Sequence, residues 1–299
     1  MPVVMWAQVW RPAWIGCEWA DSFSCVWLSR TYTFKTKPLR ASLTLITTGL
    51  FDIYVNGRNV STSALMPCRQ YPEDGALGVS YQIERFLRRG NNVISVFYSP
   101  SFPHLSKRQV AVNLAGCDAL GRKFCYDSDA SWLCRLADRR LLPNGGEATD
   151  GASLLSDWTL GSDNSLALWT NASETESCAE EAVCLMPERE DGWKVSRIIS
   201  PKYFDTEHDS VWYEFGTGFR GWIRITLRDA KPGEVINIGG LEYVCSGQMD
   251  EQACLKFTLP VCRRVLVCGD ESFRVSQVQK VEGLILEPPT DWPKTGSPW

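Results

Sequence analysis

The sequence predicts an all-β protein made of two tandem β-sandwich domains. Three observations carry this reading. Apolar and polar residues alternate with a period of two in one short segment after another. Gly, Asn and Pro punctuate those segments at regular spacing. No run of about a dozen residues shows the spacing of an amphipathic helix.

The strand signals begin with RTYTFKT at 30–36, which puts Tyr32 and Phe34 on one face. ASLTLITT (41–48) follows. In FDIYVNG (51–57) Phe51, Ile53 and Val55 share a face opposite Asp52 and Tyr54. Asn56-Gly57 predicts a tight turn, because both residues tolerate positive φ. QIERFLRRGN (82–91) reads as a single helical turn or irregular loop ended by Gly90, and VISVFY (93–98) and VAVNL (110–114) continue the strands. LAGCDALGRKFCY (114–126) reads as a hairpin turning around Asp118 to Gly121. Between 143 and 195 polar and turn residues dominate, so the domain boundary is predicted there.

Strands return with WIRITL (222–227), a Pro232-Gly233 turn and VINIGG (235–240). ACLKFTL (253–259), RRVLVCG (263–269) and FRVSQVQKVEGLIL (273–286) complete the set. The predicted division is 1–157 for the first sandwich, 158–287 for the second, and 288–299 for a Pro-rich linker.

Composition fits a globular chain of 299 residues, 44% apolar and 22% charged, long enough for a core in each domain. The net charge is −4 with acids and bases interspersed, which argues against a nucleic-acid partner. No run of about 18 apolar residues is present, so no membrane span is predicted. The N-terminal MPVVMWAQVWRPAWIG has no basic leading region, and Gln8 and Arg11 break its apolar run; the expectation is a cytoplasmic protein. Its twelve Cys include no C-x-x-C pair and are read as mostly reduced, buried small hydrophobes. The thirteen Trp are read mainly as core filling.

Taken together, these segments resemble a known family. ASLTLITTGLFDIYVNGRNV and YPEDGALGVSYQIERFLRRGNNVISVFY resemble the N-terminal β-sandwich region of bacterial α-L-rhamnosidases of the glycoside hydrolase family 78 kind. There a V-N-G turn, a Y-containing loop and a G-x-N-V-I strand occur in this order. DSDASW (127–132) resembles the family's S-D-x-S-W segment, and GGEATDG (145–151) its G-E-x-Y-D-A-R segment, with Thr149 and Gly151 as departures. VWYEFGTGFRGWIRITL resembles its D-F-G-x-N-x-x-G-W strand pair, and KTGSPW its x-T-G-S-F linker. The resemblance implies jelly-roll, galactose-binding-like sandwiches and a non-catalytic accessory module, because nothing in the chain matches the family's catalytic (α/α)6 barrel. The alternatives it leaves are a structural module packing on a separate catalytic domain or self-associating, and a truncated glycoside hydrolase.

The acidic runs Glu174–Glu181 and Glu188–Asp191 lie in polar, loop-like sequence, and no catalytic residue is assigned. A sugar site needs an exposed aromatic ring with a few polar groups beside it. The candidates are Trp132 with Asp129, and Tyr71 with Arg69; the competing reading of Trp132 and Tyr71 is as pins that hold their loops. No cofactor is predicted. Asp127, Asp129 and Asp150 are hard oxygen ligands of the type calcium takes, but they lack the further ligands and the Gly of an EF-hand loop.

Overall fold

A computed structural model describes residues 12–67, 76–101, 110–153, 169–175, 183–186 and 192–288. The first strands are β1 (Trp14–Gly16), β2 (Ser24–Phe34), β3 (Pro38–Thr47), β4 (Leu50–Val55), β5 (Arg58–Asn59), β6 (Ala76–Gln82) and β7 (Gly90–Ser99). Then come β8 (Val110–Asp118), β9 (Lys123–Asp127), β10 (Leu133–Leu141), β11 (Glu147–Asp150), β12 (Thr170–Asn171), β13 (Ser173–Thr175) and β14 (Val183–Met186). The second half supplies β15 (Lys194–Ile199), β16 (Tyr203–Glu207), β17 (Ser210–Leu227), β18 (Val235–Ile238), β19 (Leu241–Val244), β20 (Glu251–Cys254), β21 (Val261–Gly269) and β22 (Val278–Glu287).

In the first sandwich one sheet runs β13-β1-β8-β3-β6-β14, with β9 added beside β8. The facing sheet runs β10-β2-β7-β4-β5. The alternation read from the sequence holds on β4, where Phe51, Ile53 and Val55 enter the core between the sheets with Val26 and Leu28 of β2 and Leu43 and Leu45 of β3. Asn56 and Gly57 take φ of 50° and 79° and close the β4–β5 turn, as predicted. The V-N-G and G-x-N-V segments are one device. Asn56 Nδ2 donates to Asn92 Oδ1 at 3.0 Å, and the Val93 amide donates to Asn56 Oδ1 at 3.0 Å. Asn92 in turn donates to the carbonyls of Arg88 and Gly90. The predicted helical turn is a short 3-10 helix, Glu84–Phe86.

The second sandwich depends on one long strand. The first part of β17 pairs with β16 and β21, and its last part pairs with β22 and β20. It passes from one sheet to the other through a register shift between Glu214 and Phe219. At Gly221 a Cβ would meet the Leu284 carbonyl oxygen at 1.9 Å, so only glycine lets the two backbones approach this closely. FRGW is therefore part of one continuous strand. Phe215, Phe219, Ile223, Ile225 and Leu227 line the second core from this one strand.

The two halves share a sheet. β11 pairs antiparallel with β10 on one side and parallel with β19 on the other, so a continuous sheet crosses the junction. Residues 25–29 of β2 and 92–99 of β7 are buried on both faces. Trp27 stacks on Phe97 with ring centroids 4.0 Å apart, and Phe97 meets Phe257 of the second half edge-on at 5.0 Å. Leu141, Trp193 and Leu286 complete this third core.

Chain beyond position 157 also pairs with strands of the first sandwich. β12 and β13 join strands of the first sandwich, β14 pairs with β6, and Trp193 bridges to Ala64, so the first sandwich draws on chain up to Trp193. These strands are too short to show a period. ACLKFTL also departs from expectation: the strand ends at Cys254, and 255–259 is irregular.

Glu147 explains that irregular segment. Its fully buried carboxylate accepts the backbone amides of Lys256, Phe257 and Thr258 at 2.8 to 3.0 Å on Oε1, and the Thr258 hydroxyl at 2.8 Å. Its other oxygen pairs with Arg139. The neighbouring Lys256 ammonium pairs with Asp52 on β4. The departure at Gly151 also has a local reason. A Cβ there would meet the Tyr243 hydroxyl at 2.4 Å, and that hydroxyl hydrogen-bonds Glu251 at 3.0 Å.

Glu147→Ala strands the buried Arg139 charge and three backbone amides, that of Phe257 buried. We expect a loss of about 3–5 kcal/mol in urea unfolding, and a smaller loss for Glu147→Gln, which keeps an acceptor oxygen.

Candidate functional site

The edge strand β9 carries the candidate site. It is held to β8 by a hairpin whose turn is fixed by Asp118. That carboxylate accepts the Leu120 and Arg122 amides at 2.9 and 3.0 Å and pairs with the Arg122 guanidinium at 2.7 Å. Asn113 Nδ2 donates to Asp127 Oδ1 at 2.7 Å and sets the far end. Phe124 and Tyr126 alternate onto one face and stack, with centroids 5.7 Å apart.

Across the sandwich, β2 presents Tyr32 and Phe34 to them. Tyr126 lies 5.3 Å from the Tyr32 ring and 6.4 Å from the Phe34 ring, centroid to centroid. The result is an aromatic stack that closes the open end between the sheets. Tyr126 is its outermost member and is 38% exposed. The Arg30 guanidinium carbon sits 5.3 Å from the Tyr32 ring centroid, and its Nη1 pairs with Asp129 Oδ1 at 2.9 Å.

The loop DSDASW is built around Asp129 and Ser128. The Asp129 carboxylate accepts the Ser131 amide at 2.8 Å and the Ser131 hydroxyl, and the Ser128 hydroxyl donates to the Ala13 carbonyl at 2.6 Å. Burial works against the Asp129 charge, but hydrogen bonds from Ser131 and Arg30 outweigh it and hold the carboxyl below its usual value. Burial pushes the Tyr32 phenol up.

Of the residues predicted to bind sugar, Asp129 is at the surface, with its side chain 49% exposed. Trp132 is not. Its side chain is fully buried in the first core, so its ring cannot act as a stacking platform, and the loop-pin reading describes it instead. It closes the turn that begins at Asp129, its amide donating to the Asp129 carbonyl at 3.1 Å, while Ala130 and Ser131 stay exposed. Tyr71 and Arg69 lie outside the described residues. Tyr126 and Arg30 were missed in the sequence. Tyr126 lies within a hairpin read only as a hairpin, and Arg30 interrupts an otherwise inward-facing set on β2.

Asp127, Asp129 and Asp150 do not converge. Asp127 holds Asn113, and Asp150 caps a turn by accepting the Ala152 amide at 3.0 Å and the Ser153 hydroxyl at 2.6 Å. Among the described residues no three His, Cys, Asp or Glu side chains come together as a metal site. No helix among them is long and apolar enough to cross a membrane.

No family profile and no curated protein sequence matches this chain. Solved structures do. An α-L-rhamnosidase from Dictyoglumus thermophilum superimposes with a TM-score of 0.82 at 19% identity, covering 93% of this chain and 36% of that one. The chain has the fold of part of an α-L-rhamnosidase. The enzyme from Aspergillus terreus gives a TM-score of 0.77 at 16% identity over 93% of this chain and 36% of its own. The Streptomyces avermitilis α-L-rhamnosidase, solved in complex with L-rhamnose, gives 0.77 at 18% identity over 89% of this chain and 29% of its own. The chain thus spans about a third of the length of the α-L-rhamnosidases it matches. At these identities the likeness is one of fold, and it covers both sandwiches.

The sign of the Asp129 shift fixes a pH dependence. A carboxylate with a depressed folded value contributes stability that is present above its unfolded value of 3.8 and lost as pH falls through the folded one. Asp129→Asn is therefore expected to lower the urea midpoint at neutral pH, with the gap to the parent closing as pH drops below 3.8.

Proposed function

We propose that this chain acts as a non-catalytic accessory module of the α-L-rhamnosidase type that binds carbohydrate weakly at the β9 edge. The observation that carries the reading is the convergence of the half-exposed Tyr126 ring with the Arg30–Asp129 pair. A sugar ring offers axial C–H groups to an aromatic face and hydroxyls to flanking charged groups, and these are the two elements present. The fold likeness supports the class of ligand, since the Streptomyces avermitilis structure contains L-rhamnose.

The disposition of buried carboxylates supports the non-catalytic part. Glycoside hydrolysis needs two carboxyls facing each other across the scissile bond. Here Glu147 is committed to Arg139 and three amides, and Glu251 to Tyr243, Ser246 and Gly247. Glu282 is committed to Arg224 and Lys280, and Asp52 to Lys256. Each holds structure together where a catalytic acid would have to face a substrate.

Calorimetric titration with L-rhamnose and rhamnosides should give a dissociation constant in the millimolar range, weakened about tenfold, or about 1.4 kcal/mol, by Tyr126→Ala. An aryl rhamnoside incubated with the same preparation should release no phenol. Sustained turnover, or titration heats unchanged by Tyr126→Ala, would sink the proposal.

A second reading, packing against a separate catalytic domain or against a second copy, is favoured by the outer strands of the second sandwich. Tyr203 and Phe204 on β16 are 62% and 65% exposed, and Ile198 on β15 is 52% exposed. If this face associates, light scattering should show a concentration-dependent dimer that Phe204→Lys abolishes.

A further inference from the structure

The first sandwich contains a buried pair of thiols that the sugar site does not use. Cys17 follows directly on β1, in one sheet, and Cys134 is the second residue of β10, in the facing sheet. A single short segment brings them together. Thr170 of β12 stands opposite Cys134, and Ser173 of β13 stands opposite Gly16, so residues 170–173 step from one sheet to the other beside both cysteines. Ala172, within that step, donates its amide to the Trp132 carbonyl at 2.7 Å. Both cysteines belong to the same buried cluster.

We propose that Cys17 and Cys134 form a reversible disulfide that staples the two sheets of the first sandwich.

The chemistry of the pair favours this over the other thiols. The Cys17 thiol donates a hydrogen bond to the Cys134 sulfur, which raises Cys17 and lowers Cys134 to about 7. The Thr170 hydroxyl, 3.6 Å from Cys134 Sγ, acts in the same direction on Cys134, while burial opposes it. The backbone amides of Trp19 and Ala20 act on Cys17. Elsewhere burial pushes Cys25, Cys245 and Cys254 up to about 12 and Cys262 up to about 11. A thiolate is the attacking species in exchange, so the lowered Cys134 is the better nucleophile among these buried thiols.

Access follows from the same segment. β12 is a two-residue strand that pairs with β10 at the rim, and Thr170 Oγ1 accepts a hydrogen bond from the indole of Trp19 at 3.1 Å. Trp19 itself is 65% exposed. Lifting this rim breaks few contacts and uncovers Cys134.

The oxidant is a small disulfide of the glutathione class. The Cys134 thiolate attacks one sulfur of that disulfide, its S–S bond breaks, and one thiolate leaves. That thiolate takes the Cys17 proton. The Cys17 sulfur then attacks Cys134 Sγ in the mixed disulfide, the Cys17–Cys134 bond forms, and the second small thiolate leaves and takes up the proton that Cys134 had released. Two protein thiols are oxidised and one small disulfide is reduced to two thiols.

The test uses the full chain, folded, in redox buffers of oxidised and reduced glutathione. After blocking of free thiols, proteolysis and mass spectrometry, we expect one peptide pair joined through Cys17 and Cys134, released by dithiothreitol. The oxidised protein should unfold at higher urea than the reduced one, and the difference should vanish in Cys17→Ala. A second readout holds even if that variant is destabilised. In the parent, alkylation of Cys134 by iodoacetamide should rise with a midpoint near pH 7, and in a Cys17→Ser variant, which retains a donor, the midpoint should stay near neutral. Recovery of Cys17 and Cys134 as blocked thiols at every glutathione ratio, or capture of either in a different pairing, overturns the proposal. So does an alkylation midpoint for Cys134 in the range of the other buried thiols.

Discussion

Glu147 sits fully buried where the two sandwiches share a sheet, and both of its oxygens are used. One oxygen gathers consecutive amides from 256–258 and the Thr258 hydroxyl. The other holds Arg139, whose guanidinium also donates to the Cys254 carbonyl at 3.0 Å. A buried carboxylate is costly unless its lone pairs are satisfied, and a run of amides that form no ladder is costly unless they find an acceptor. Each solves the problem of the other. The irregular course of 255–259 follows from this, and so does the placement of Phe257 against Phe97. Burial works against the Arg139 charge, and Glu147 overrides it, so Arg139 stays charged in a site that would otherwise disfavour it.

That constraint explains why the halves behave as one body in their packing. β11 leaves the first sandwich to lie parallel to β19, and the junction core of Trp27, Phe97, Trp193, Phe257 and Leu286 fills the space beneath it. β2 pays for this with an unusual pattern: Cys25 and Trp27 face the junction while Val26 and Leu28 face the first core. The candidate sugar site lies further along the same strand, at Arg30, Tyr32 and Phe34. One strand thus spans the junction core and the surface stack.

The candidate site was half legible. The place of Asp129 in its loop is legible, because a D-x-S turn announces a carboxylate that holds its own loop, and a carboxylate so held is fixed in space. The sequence leaves Trp132 as either a sugar platform or a loop pin, because it shows that an aromatic follows the turn, not which way the backbone aims it; burial decides for the pin. Tyr126 was missed because its partners, Tyr32 and Phe34, are about 90 residues earlier in the chain, and only the facing of two sheets makes the four rings a stack. The cysteines tell the same story. They read as mostly reduced, buried small hydrophobes, and Cys17 and Cys134 are free and buried; that residues 170–173 run beside both, from one sheet to the other, has no local signature.

Within each strand, the sequence by itself determined a great deal. The period-two runs, the Asn56-Gly57 turn and the β8–β9 hairpin follow from local stereochemistry, because a strand with one buried face must alternate and a tight turn must admit positive φ. The order of these elements was enough to indicate the rhamnosidase-like sandwiches that the solved structures share. Only the tertiary structure decided where the first sandwich ends, why β17 is one bent strand, and what Glu147 does. The short strands β12, β13 and β14 carry too few residues to show a period, and their pairing is fixed by partners far away in sequence. A carboxylate that satisfies amides more than a hundred residues away has no local signature at all, since its role exists only once the two sheets have met.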